Sequence, residues 1–236
     1  MAFVAFNGNG AEAAQVDVTV DVGSSADRKA VVFYVTENPT TNASTVTAAR
    51  APSGANEAMS WVSGASGVRQ GGGVYLYYGF FYLDLGANTG SQVFRVVGGT
   101  GAGRILAVVT VWDGLDAGAP DAQNGNSAVT VTSMSTSVTT LAANSVVFAG
   151  IATRTTPDNH FAWQNSETER ADGSLFNIIG MSAADIVRAT AGAQTVGANL
   201  SASTAVAGIG AIAFAPAAAG SAFIAAWALG SNVVIK

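Results

Sequence analysis

The 236-residue chain carries a net charge of −5, no cysteine, one histidine (His160) and charged side chains at only 11% of its positions. These numbers exclude disulfide frameworks and His/Cys metal centres. The ten basic residues are scattered, with only Arg28 and Lys29 adjacent, so no phosphate-binding patch forms and nucleic acid is not an expected partner. With 49% apolar residues the chain can bury a core without covalent staples, and its Ser, Thr, Asn and Gly favour strands and turns over helices.

The N-terminus, MAFVAFNGNGAEAA, has no positive region and too short an apolar run for a secretory signal. Val16, Val18, Val20 and Val22 then alternate with Asp17, Thr19 and Asp21, which predicts a strand with one wet face. After a turn at 23–27, AVVFYVT (30–36) reads as a strand buried on both sides, ended by Asn38-Pro39. Further strands are expected within 44–50 and 57–63. VYLYYGFFYLDL (74–85) concentrates the aromatic residues, alternate rings filling the core and the others facing outward. QVFRVV (92–97) and RILAVVTVW (104–112) follow, joined by a glycine loop that reads as a hairpin.

The second half repeats this rhythm. Its strands are AVTVTSMSTSV (128–138), SVVFAGIAT (145–153), LFNIIG (175–180), QTVGANLSAS (194–203) and AVAGIGAIAFA (205–215), with a polar loop at 154–174. SAADIV (182–187) predicts one helical turn with Ser182 as N-cap. About ten to twelve short strands with frequent turn signals predict an all-β fold, an antiparallel β-sandwich. No linker divides the chain, so 1–216 reads as one sandwich domain. Residues 217–236 read as an apolar docking segment, with Phe223, Ile224, Trp227 and Leu229 as its assembly contacts. The stretch from Ala205 to Leu229 is uncharged, but it is rich in Ala and Gly and broken by Pro216, so no membrane span is expected.

Motifs for chemistry fail on particular residues. Gly98 and Gly103 have phosphate-loop spacing, but Arg104 and Ile105 stand where Lys and Ser or Thr are needed. No nucleophile elbow occurs, and His160 lacks a nucleophile to activate. Asp113, Asp116 and Asp121 could present oxygens to Ca²⁺, yet their spacing is ordinary turn chemistry, and no cofactor or metal is expected. Glu167, Glu169 and Asp172 form a second acidic stretch around Arg170, read as a solvated loop. Trp61, Trp112 and Trp163 are candidates for an aromatic surface.

Several segments taken together carry a family likeness. They are the early V-x-V-x-V strand, AVVFYVT, AMSWVSG, VYLYYGFFYL, VTVWDGLD and the NSVVFAG strand after a Thr/Ser-rich one. In this order, over roughly residues 12–216, the chain resembles the jelly-roll-like β-sandwich proteins of tailed phages that decorate heads, form head fibres or act as tail adhesins. The resemblance implies a non-enzymatic virion protein, displayed on capsid or tail. Its partners would be copies of itself and other virion proteins. The alternative is a carbohydrate-binding adhesin for a host-surface glycan, with Trp112, Asp113, Asp116, His160 and Trp163 as candidate contacts, and a third reading is a glycan-cleaving enzyme using acidic loop residues.

Overall fold

The computed structural model describes residues 1–25, 27–38, 46–50, 57–71, 73–99, 101–154, 161–175 and 178–218. Every element among them is a strand. The first half contains β1 (Ala2–Ala11), β2 (Gln15–Asp21), β3 (Arg28–Asn38), β4 (Thr47–Arg50), β5 (Glu57–Ala58), β6 (Ser60–Gly71), β7 (Val74–Asp84), β8 (Ser91–Val97) and β9 (Arg104–Asp113). The second contains β10 (Ala122–Ala128), β11 (Val131–Thr140), β12 (Ser145–Arg154), β13 (Phe161–Trp163), β14 (Thr168–Leu175), β15 (Ile179–Arg188), β16 (Gly192–Thr204) and β17 (Val206–Phe214). The all-β antiparallel expectation holds, with seventeen strands rather than ten to twelve.

The strands form four sheets, and the two halves use the same order. In the first half β1-β9-β3-β7-β6 faces β2-β8-β4-β5; in the second, β10-β17-β12-β15-β14 faces β11-β16-β13. Only Met59 separates β5 from β6, so the two act as one bent strand that leaves one sheet for the other. Counted that way, each half has eight strands, ordered 1-8-3-6-5 in one sheet and 2-7-4 in the other, with the bent strand also reaching the latter in the first half. That is the jelly-roll winding. The molecule is therefore two jelly rolls in tandem.

Side-chain alternation fixes how they stack. Along β3, Val31, Phe33 and Val35 point into a core shared with Phe148, Ile179, Met181, Ile212 and Phe214 of the second half. Their neighbours Ala30, Val32 and Tyr34 point the other way, onto the valines of β2 and onto Phe94 and Val96 of β8. The second half mirrors this: Phe148 faces inward, while Val147, Ala149 and Ile151 pack beneath β11 and β16. Four layers result, with the two five-stranded sheets in the middle. A strand buried on both faces has no wet side to alternate with, hence the continuous apolar runs of β3, β9, β12 and β17.

Three differences from the sequence reading have physical causes. SAADIV lies within β15, not a helical turn, because Ser182 is fully buried and its hydroxyl donates to the Ala171 carbonyl of β14 (2.9 Å). The polar stretch 154–174 contains two strands, β13 and most of β14. The expected hairpin around 98–103 is not formed: β8 and β9 belong to different sheets and do not pair.

Glycines set the closeness of the middle layers. A methyl group at Gly150 would collide with the Phe33 ring, and one at Gly208 with the Tyr78 ring. At the sheet edges, asparagine does a different job. Asn7 accepts the Gly8 N–H (2.9 Å) and donates to the Thr19 carbonyl of β2 (2.8 Å). Asn9 likewise accepts from Gly10 and donates to Asp17. In the second half Asn124 accepts from Gly125 and donates to Ser137 of β11. One carboxamide thus caps an edge N–H and ties the two sheets of a sandwich together.

Candidate functional site

The residues singled out in the sequence do not form one site. Trp112 is 5% exposed, its ring set edge-on between Phe3 and Phe148 and its indole N–H donating to Asp185 (3.0 Å). It belongs to the shared core and presents no face for stacking. Trp163 is half-buried and donates to the Ser182 hydroxyl (2.9 Å). Asp113 ends β9, while Asp116 is exposed and accepts the N–H of Ala117. His160 and the docking contacts Phe223, Ile224, Trp227 and Leu229 lie outside the described residues.

The charged side chains are largely engaged with one another. Lys29, 1% exposed, pairs with Asp84 (2.6 Å), donates to the Gly118 carbonyl and sits over the rings of Phe214 and Tyr82. Burial lowers its pKa despite Asp84. Arg28 is equally buried and holds two loops, donating to carbonyls of Ser25, Val22, Gly23, Gly86 and Asn88. Glu37 bridges Arg104 of the first half (2.8 Å) and Arg154 of the second (2.9 Å). Arg170 forms a two-pronged pair with Asp185 and lies over the Phe3 ring. In the second acidic stretch, burial and nearby Asp172 push the pKa of Glu169 up. Among the described residues no three His, Cys, Asp or Glu side chains converge to hold a metal ion.

Among the described residues, two uncharged features stand open to a partner. The first is a cleft of about 370 Å³ beside Trp61, whose side chain is 58% exposed. Tyr34 and Tyr77 form its buried wall, Val46 and Val68 its rim, and Ser63, Ser66 and Gly67 its remaining side. Burial raises the Tyr34 pKa, partly offset by the Trp61 indole N–H beside it. The sequence marked Trp61 only as one of several aromatic candidates; it pairs with Phe81 on β6, the strand at the edge of its sheet, and edge position is not read from spacing.

The second is the outer face of β11-β16-β13. Ser133, Ser135, Ser137, Thr139, Thr195 and Asn199 are exposed there, and none of the three strands contains a charged residue. Ser137 and Thr195 share a hydrogen bond (2.9 Å), and Gln164 donates to Asn199 (2.6 Å).

Among the described residues no helix is long and apolar enough to cross a membrane. No protein-family model matches the chain, and no curated protein matches it either.

Proposed function

We propose that this chain is a non-enzymatic structural protein of a phage-like virion, displayed on capsid or tail and held there by repeated subunit contacts. The observation that carries the reading is the uncharged outer face of β11-β16-β13. A flat face of Ser, Thr, Asn and Gln hydroxyls and amides can be covered by a neighbouring copy without stripping water from any charge. Many such contacts make firm attachment from individually weak ones. The tandem winding supports the same reading: two jelly rolls over one shared core make a rigid block that presents this face as a unit.

Sedimentation velocity tests it. The protein is expected to self-associate as its concentration rises from micromolar towards millimolar. Ser135→Arg with Ser137→Arg should abolish that association while leaving the far-ultraviolet spectrum unchanged, since both side chains are exposed. A monomer throughout that range, or association indifferent to the two arginines, overturns the reading.

A further inference from the structure

The geometry points to the Trp61 cleft as a binding site for the ring of a neutral saccharide, separate from the assembly face. Three observations converge on it.

The first is the chemistry of the lining. A half-exposed indole offers a flat apolar face, to which the C–H face of a pyranose is complementary in shape and polarity. Around it stand hydroxyl groups of Tyr34, Tyr77, Ser63 and Ser66, and among the described residues no charged side chain lines the cleft. Two other clefts among the described residues both contain carboxylates; the neutrality of this one selects against uronic or sialic acids and against basic peptides. The volume, about 370 Å³, falls in the range of small-ligand pockets, roughly 300–1,000 Å³.

The second is a built irregularity. Val62 pairs with Phe80, but the next pair is Gly67 with Tyr78, so β6 bulges out between them. Bulges of this kind re-aim side chains at binding sites. Here the bulge supplies Ser63 and Ser66 to the cleft. The strand at the same place in the second jelly roll, β14, shifts only between Glu169 and Ala171 and carries charged residues there. The larger bulge is therefore not a requirement of the winding.

The third is preorganisation from behind. The Gly64 N–H donates to the Gln123 side chain of β10 (2.9 Å), and Ala65 sits in the shared core against Gly210 of β17. The Ser66 hydroxyl donates to the Val62 carbonyl (2.6 Å) and accepts from the Phe80 N–H (3.3 Å). The second half thus holds the bulge in place, and little order is lost when a ligand enters.

The experiment is titration of the full chain, followed by the indole N–H resonances, with glucose, galactose, mannose and N-acetylglucosamine and their short oligomers, and with glucuronate as a charged control. At least one neutral sugar should shift the Trp61 resonance saturably, leave that of buried Trp112 in place, and bind more tightly than glucuronate. Trp61→Ala should weaken binding roughly tenfold or more and Trp61→Phe less, because a smaller ring still stacks. The Ser135→Arg, Ser137→Arg variant should bind as the parent does, which separates this site from the assembly face. No saturable shift with any neutral sugar, binding that survives Trp61→Ala, or preference for glucuronate overturns the assignment.

Discussion

The Tyr78 hydroxyl donates to the Asn126 carbonyl across the two halves (2.9 Å), and burial pushes its pKa up to about 12. The folded chain then keeps a proton that the unfolded chain releases near pH 10, so stability falls as pH rises from 10 towards 12. Lys29 acts in the opposite sense. Its folded pKa lies below 10.5, so the unfolded chain holds the extra proton and stability rises with pH up to that value. Urea midpoints measured across this range should pass through a maximum near pH 10. Tyr78→Phe should lose about 1 kcal/mol at neutral pH from the missing hydrogen bond and flatten the alkaline fall; an unchanged slope would show that Tyr78 is not its source. The residue scale is also where sequence reasoning was weakest. Trp112 looked available because it ends a strand beside turn residues. β9 is buried on both faces, so position along it says nothing about exposure.

At the scale of elements, the asparagine ties make a prediction about edges. Among the described residues β1 pairs only with β9, and β10 only with β17. An open edge invites another strand, and the carboxamides of Asn7, Asn9 and Asn124 occupy N–H groups that such a strand would use. Asn7→Ala with Asn9→Ala should lower stability by about 2 kcal/mol and raise light scattering on storage. Asn7→Asp with Asn9→Asp separates the two roles. It keeps the acceptor for Gly8 and Gly10 but loses the donor to β2, so stability should fall while scattering stays low. Equal scattering from both pairs of variants would refute the edge-capping role. The same logic explains which elements were legible. Central β15 read in part as a helical turn, but β3, β9, β12 and β17 announced themselves through apolar runs and β2 through its valine alternation. β1, β10, β13 and β14 did not, and all four lie at sheet edges. Edge strands meet water along one side and can be built of Asn, Gly and charged residues that weigh against strand on propensity. The candidate cleft was half legible for a related reason: the aromatic concentration was visible, the bulge that brings Ser63 and Ser66 beside Trp61 was not.

The whole molecule poses the question of whether two jelly rolls are one folding unit. Their common winding is matched in the sequence by little beyond N-G-N before the first sheet crossing and V-V-F at Val31–Phe33 and Val146–Phe148. A jelly roll constrains burial and turn positions far more than residue identity, so the winding persists where the sequence does not. The halves meet through large side chains of both middle sheets, with Glu37 joined to arginines on either side of the junction. Alone, the first half would expose Val31, Phe33, Leu106 and Val108 on one continuous face, larger than soluble monomers tolerate. Scanning calorimetry should therefore give a single transition. Gly208→Val, which drives a side chain into the Tyr78 ring, should lower its midpoint by about 5 °C without splitting it. Two resolved transitions in the parent protein would mean that each sandwich carries its own stability and that the shared core contributes little. One transition that shifts as a unit would mean that the junction belongs to the fold. The Trp61 bulge, held from the second half through Gln123, would then be only as stable as that junction.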